Sequence, residues 1–435
     1  MEDALLFFQF CFNHFLVKKL KVKIAVIGSG ISGLSAAYYL SKKNSVDLFE
    51  SENHFGGHSY TIDISYEEKK QISVDIGFIV FNEKTYPNLI KFFEENTIQV
   101  EKSNMSFSVS VKDSNIEYCG KGIGGVFSNR KNIFNLKFLK MFFDIISFYK
   151  KCVYINTNKL NKETLGDFLK KENLSDYFIN YHIIPMVAAI WSMPQYEAKQ
   201  MPLNFFINFF KNHGLFKLKD RPQWFTVANR SKTYVDKVIS QISGEYYKNY
   251  SINKISRNID NLKVYYGPAN EFFIYDKVVL ATHADDALSL IENPTKEESK
   301  ILSNFKYKKN LAVIHSDSSF MPKNIKAWSS WNSSILKNDA TKNSITYWLN
   351  LLQNLNVKKN IFLTLNPYYK IPENQIYKKV YFTHPYYDYK VLRSQKELNL
   401  LQNKQNILFC GSYFGYGFHE DGIKSTMEML KYIND

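Results

Sequence analysis

The sequence predicts an α/β protein, and three observations carry that prediction. Lys23-Ile24-Ala25-Val26-Ile27 is a short apolar run of strand character that feeds directly into Gly28-Ser29-Gly30-Ile31-Ser32-Gly33. Leu34, Ala37, Tyr38 and Ser41 then recur at helical spacing, and a second apolar run, Val46-Asp47-Leu48-Phe49, ends on Glu50. Buried-strand runs return far along the chain, at Val278-Val279-Leu280-Ala281-Thr282 and Ile407-Leu408-Phe409-Cys410. Strand, glycine turn, helix, strand and acid is the order of a Rossmann-like dinucleotide-binding unit.

Each part of that unit has a physical task. Gly28 permits the tight turn, Gly30 lets the backbone reach a pyrophosphate, and Gly33 lets helix and strand pack closely. The N–H groups of Ser29, Ile31 and Ser32 lie where the helix begins, and a helix N-terminus favours phosphate. Glu50, with Ser51 beside it, follows the glycines by about 20 residues, the spacing at which a carboxylate accepts bonds from ribose hydroxyls. Gly56-Gly57-His58 adds a second glycine pair, which predicts a backbone passing close to another part of the same ligand. NAD sites do not ask for that pair, whereas large flavoproteins commonly carry it. The pair therefore points toward a flavin dinucleotide rather than NAD.

At 435 residues, with 45% hydrophobic and 16% aromatic content, the chain can bury a large core and is not of disordered composition. The net charge of +15 raises nucleic acid or an anionic membrane as partners. Only Arg130, Arg221, Arg230, Arg257 and Arg393 are arginines among 56 basic residues, which argues against nucleic acid. Cys11, Cys119, Cys152 and Cys410 are far apart and form no CxxC spacing, so they read as buried, reduced thiols of a cytoplasmic protein. No His, Cys and carboxylate cluster has metal spacing, and no metal is expected. Residues 1–20 form an interrupted apolar extension, too short to span a bilayer and without the basic start of a secretory signal.

Along the middle of the chain, residues 72–82 read as one buried strand broken by Gly77, which marks a close approach. Tyr86-Pro87 opens a helix. Residues 133–149 form an aromatic-rich helix with Lys137, Lys140 and Asp144 on one face and Phe134, Phe138, Phe142, Ile145 and Phe148 crowding the rest. It reads as a packed helix of a substrate-covering domain, with a membrane-surface helix as the alternative. More helix is expected from Thr164 to Trp191, with a break at Pro185. The resulting organisation is interleaved. Residues 21–100, 225–290 and 400–435 make a discontinuous FAD-binding domain, and residues 101–224 and 291–399 a mixed α+β substrate domain.

Taken together, these residues resemble the flavin-containing amine oxidase and phytoene desaturase superfamily. The match runs from Gly28, Gly30, Gly33, Glu50 and Gly56-Gly57 through Ile252-Asn253-Lys254-Ile255, where that family pairs a strand with the adenine. It ends in Gly411-Ser412 and Glu420-Asp421-Gly422-Ile423-Lys424-Ser425, where a helix N-terminus faces the flavin pyrimidine carbonyl. A narrower resemblance covers nearly the whole chain. Asp75-Ile76-Gly77-Phe78-Ile79-Val80-Phe81-Asn82, Ala189-Ile190-Trp191-Ser192, Arg221-Pro222-Gln223-Trp224, Trp328-Ser329-Ser330-Trp331-Asn332 and Gly415-Tyr416-Gly417-Phe418-His419 look like one bacterial branch. That branch is the predicted NAD/FAD-binding oxidoreductases often found beside cyclopropane fatty acid synthases.

The resemblance implies hydride transfer from a C–C or C–N bond to flavin. Its neighbourhood implies a lipid-modifying enzyme as partner. Aromatic richness and positive charge favour a lipid-like substrate. The charge, the apolar residues 1–20 and the lysine-faced helix 133–149 together suggest reversible attachment to an anionic membrane surface, at the inner face of the membrane. A soluble amine oxidase and a non-catalytic flavoprotein are the alternatives. Three departures stand out. Ser412 replaces an Asp on the ribityl chain, Ala228-Asn229-Arg230-Ser231 replaces a Gly-Gly pair, and His58 replaces an Arg near the phosphates. His283 and His419 are the candidate catalytic side chains, and Trp191, Trp328, Trp331 and Tyr347 are candidates for an apolar channel.

Overall fold

The computed structural model describes residues 21–67, 70–160, 162–337 and 339–433. The apolar extension expected at 1–20, with Cys11, lies outside the described residues. Strand β1 (Lys23–Ile27), helix α1 (Ile31–Ser41) and strand β2 (Ser45–Glu50) follow one another as the sequence predicts. They belong to a five-stranded parallel sheet in the order Tyr246–Lys248, β2, β1, Lys277–Leu280, Ile407–Phe409. Ile24, Ala25 and Val26 are fully buried because a parallel sheet is covered on both faces. An antiparallel meander of Ile252–Arg257, Leu262–Tyr266 and Glu271–Tyr275 sits beside it.

The second sheet has seven strands, in the order Ile376–Tyr386, Lys306–His315, Phe362–Leu365, Asp339–Trp348, Trp331–Leu336, Phe107–Lys112, Glu117–Cys119. Its two faces differ because alternate residues point opposite ways. Ala312, Ile314, Ile345, Leu363 and Leu365 form an apolar core on one face. The other face buries a polar seam. Ser108 donates to Asn332 (2.7 Å), Asn332 donates to the Thr346 carbonyl (3.2 Å), and the Thr346, Thr364 and His315 side chains continue at 2.8 and 2.7 Å. Bonding along the whole row makes its burial tolerable.

Three local expectations change in detail. Residues 72–82 are two strands, Lys70–Asp75 and Phe81–Asn82, since the chain breaks off to pass His58. A Cβ on Gly77 would lie 2.2 Å from the His58 carbonyl oxygen, which is the close approach its glycine signalled. The aromatic helix runs from Leu136 to Tyr154, capped by the Asn135 side chain, which accepts from the Phe138 N–H (3.2 Å). The expected helix from Thr164 to Trp191 is divided once, after Leu165–Lys171, and then runs unbroken over 176–191. At Pro185 the chain is not broken but is preceded by a π-turn, Ile179–Ile183, inside the helix.

Candidate dinucleotide site

The glycines of the first turn do different work. Gly28 has φ +96°, and a Cβ there would sit 2.8 Å from the Ala281 carbonyl oxygen. A Cβ on Gly33 would lie 1.8 Å from the Gly28 carbonyl oxygen. Gly30 differs from both. Its φ is −62°, and a Cβ on it would meet nothing within 4 Å. Neither conformation nor packing against the protein requires a glycine there, which leaves the approach of a ligand. No side chain caps α1 and no acid stands in its first turn, so its N-terminus is free for an anion. Gly57, at φ +56°, backs onto this place, with its Cβ position 3.1 Å from the Gly30 Cα.

Glu50 is buried at the end of β2. It accepts from the Ser29 N–H (3.0 Å) and hydroxyl (2.5 Å) through one oxygen and from the Glu52 N–H (2.9 Å) through the other. Ser51 is exposed, with its hydroxyl 3.4 Å from the same carboxylate. Ser29 in turn accepts from the Gly56 N–H (3.1 Å). One serine therefore ties both glycine motifs to the acid. The Tyr250 N–H donates to the Glu50 carbonyl (2.8 Å), which carries the following strand, beginning at Ile252, past this corner. An open groove of about 550 Å³ lined by Asn249, Tyr250, Asn253 and Tyr266 adjoins it.

At the other end of the chain, strand Ile407–Phe409 leads into Gly411 and Ser412, and the Gly411 N–H donates to the Ser425 hydroxyl (2.9 Å). The C-terminal helix His419–Met429 crosses α1 at Gly422, where a Cβ would lie 2.8 Å from the side chains of Ile31 and Ser32. Ile423 is fully buried beside it. The two acids of this helix hold protein elements. Glu420 accepts from the N–H groups of Asn88 (3.1 Å) and Leu89 (3.0 Å) and so anchors the start of helix Pro87–Glu95. Asp421 accepts from the Phe418 N–H (3.0 Å), and burial pushes its carboxyl up to about 6.

Between the two sheets four imidazoles converge. The His58 ring lies 6.5 Å from His283 and 5.6 Å from His384, centroid to centroid. His419 stacks on Phe78 (3.7 Å) and bonds to the Ser59 hydroxyl (2.8 Å). His384 Nδ1 faces the amide nitrogen of Asn310 (2.8 Å), which must donate, so the His384 proton lies on Nε2. Asn366 holds Asn310 by donating to its oxygen (2.6 Å). Burial lowers the pKa of His384 to about 4 and of His419 to about 3, and lowers His58 and His283 as well. All four are neutral at pH 7. His58 has no side-chain hydrogen bond to another described residue. His384, Asn310 and Asn366 carry no sequence motif, and only pairing of their strands brings them together.

His283 also lies with Asp285 and Asp286, their ligand-type atoms within 4.8 Å of one another. Both acids are exposed in the first turn of helix Ala284–Leu290, where the helix dipole favours them without an ion. The turn that departs from Gly-Gly keeps a glycine-like path. Asn229 has φ +59° and Arg230 φ +80°, and the Asp75 carboxylate holds the next residue by accepting from the Ser231 N–H (2.9 Å) and hydroxyl (2.7 Å).

The expected aromatic channel is not one wall. Trp331 and Tyr347 pack edge to face (5.0 Å) on the sheet face that meets Ala189. Trp328 packs instead against Trp348 (5.3 Å) and Phe362 (5.8 Å), which point to the opposite face. Trp191 donates to the Tyr416 carbonyl (3.2 Å) and packs at a tilt against Phe209 (4.6 Å). Cys119, Cys152 and Cys410 are buried and unpaired.

An NAD(P)-binding Rossmann-like domain matches residues 26–95. No curated protein matches the sequence. Among solved structures, the CLA-producing fatty acid isomerase from P. acnes aligns with 94% of this chain and 98% of its own, at 12% identity and a TM-score of 0.65. A putrescine oxidase aligns with 95% and 99%, at 13% identity and TM-score 0.68. Cyclohexylamine oxidase from Brevibacterium oxydans aligns with 95% and 100%, at 13% identity and TM-score 0.63. The chain shares the overall fold of these three proteins. At such identities the fold is what is shared. Among the described residues no helix is long and apolar enough to cross a membrane.

Proposed function

We propose that this chain is an FAD-dependent oxidoreductase acting on an apolar, lipid-like substrate. The observation that carries the reading is Gly30, a glycine with ordinary φ and open space around it at an uncapped helix N-terminus. The N-terminus of α1, Gly30 and Gly57 would receive the pyrophosphate. Glu50 would share its lone pairs between Ser29 and the adenosine ribose. A bound flavin supplies the hydride acceptor.

The chain's own residues supply an uncharged seam of half-buried imidazoles. These imidazoles stay neutral, and His384 keeps an Nε2–H donor directed by Asn310. Trp331 and Tyr347 offer apolar wall. Such surroundings orient an apolar C–H bond and exclude water rather than neutralise a cationic amine. Likeness to a fatty acid isomerase agrees with a lipid, and likeness to amine oxidases keeps a soluble amine as the second reading. Anaerobic mixing of the flavin-loaded protein with detergent-dispersed unsaturated lipids and with alkyl amines, followed by flavin absorbance, tests both. Bleaching by lipid alone is expected. Bleaching by amines alone would replace the reading, and bleaching by neither would favour a non-catalytic flavoprotein serving a lipid-modifying enzyme.

A further inference from the structure

Helix Leu136–Tyr154 carries apolar residues on two faces. Phe138, Met141, Ile145, Phe148, Tyr149 and Cys152 form the inner one and are buried. The outer one carries Leu136, Phe143, Ile146 and Val153, at helical spacing along about 27 Å of helix. Leu136 is 80% exposed and Phe143 73%. Exposed Lys137, Lys140, Ser147 and Lys150 stand among them, so the outer half of the helix is a mixed apolar and basic face left in water. Three other elements enlarge the surface. Phe134, in the turn before the helix, is 87% exposed. Ile123 is 81% and Ile325 70% exposed, on two short segments in contact with each other.

Charge selects the partner. Arg130, Lys131, Lys137 and Lys326 are exposed around this surface and make no ion pair with another described residue. Asp144 is the sole acid between residues 120 and 150, and it faces inward, accepting from the Ser175 N–H (3.1 Å). A second copy docking through the same face would bring these cations against each other. An anionic bilayer satisfies both features, taking the apolar tips below its headgroups and the cations among its phosphates.

We propose that the surface formed by Ile123, Phe134, Leu136, Phe143 and Ile325 docks the protein reversibly on an anionic lipid bilayer. The inference deepens the lipid-substrate reading but is tested apart from it, since vesicle flotation reads attachment and flavin bleaching in detergent reads chemistry.

The test is flotation of the full-length, flavin-loaded protein with phosphatidylglycerol-containing vesicles and with pure phosphatidylcholine vesicles. Wild type should float with the anionic vesicles at about 0.05 M salt and be released at about 0.5 M. Leu136→Ser/Phe143→Ser should lower partitioning roughly a hundredfold, and Lys137→Gln roughly fivefold. Both positions are exposed, so the double variant should keep its melting temperature and flavin content. Amide exchange of the wild type should slow over residues 123–146 when anionic vesicles are added. Equal flotation of wild type and double variant would overturn the proposal. So would failure of the wild type to float, its floating only after removal of residues 1–20, or a dimer that the double variant converts to monomer.

Discussion

Two turns in this molecule hold a backbone with positive φ close to a helix N-terminus, and they do it with opposite residues. The first, Gly28–Gly33, is built on glycines. The second, Ala228–Ser231, places Asn229 at φ +59° and Arg230 at φ +80° before helix Ser231–Ile239. The difference lies in what a Cβ would strike. At Gly33 it would strike backbone that cannot move, 1.8 Å away. At Arg230 the cost is conformational only, about 1–3 kcal/mol, and neighbours offset it. The Arg230 guanidinium donates to the Ser73 carbonyl (2.9 Å), and Asp75 grips Ser231. A steric demand fixes residue identity, whereas a dihedral demand can be met by hydrogen bonds.

Gly33→Ala breaks the first turn at its most crowded point. The new methyl group has only backbone in front of it, so a loss of about 3 kcal/mol or more is expected, read from the urea midpoint. A loss under about 1 kcal/mol would mean the turn can shift and the steric account is wrong. Gly30→Val separates ligand from fold within the same turn. Stability of the flavin-free protein should change by less than about 0.5 kcal/mol, while flavin affinity drops roughly a hundredfold, about 2.7 kcal/mol. Retention of full flavin by this variant would remove Gly30 from the site.

Buried imidazoles extend the comparison to side chains, where strain is electrostatic. His182 bonds to Tyr149 (2.9 Å) and Tyr118 (2.9 Å), and burial lowers its pKa to about 3. Its folded pKa lies below the ordinary value near 6.5, so the unfolded chain binds the proton more readily. Its contribution is complete above about pH 6.5 and is lost as the pH falls toward 3. At pH 5.5 the loss is about 1.4 kcal/mol for each such histidine. Denaturation at pH 7.5 and 5.5 should show wild type losing more stability than His182→Gln by that amount. Equal pH slopes would mean His182 is not held neutral.

The smallest effect belongs to the second turn. Arg230→Gly removes the strain and also one hydrogen bond worth about 1 kcal/mol, so stability should hold or rise by up to about 1 kcal/mol. A fall beyond about 1 kcal/mol would show that the guanidinium outweighs the dihedral cost.

The sequence by itself determined the strand–turn–helix–strand unit, because glycine chemistry and apolar periodicity act over neighbouring residues. β1, α1 and β2 lie where Lys23–Glu50 places them, and the inner face of helix Leu136–Tyr154 follows from its 3.6-residue period. Tertiary structure decided which polar groups are already engaged. Glu420, a cofactor-binding candidate in the sequence, accepts from the first N–H groups of helix Pro87–Glu95, a contact that no local pattern announces. Only strand pairing aligns Asn310 with His384, and parity along the strand sends Trp348 to the face opposite Tyr347. Periodicity reports that a face is apolar but not whether anything covers it, and so the outer face of that same helix became visible only once the chain had folded around the inner one.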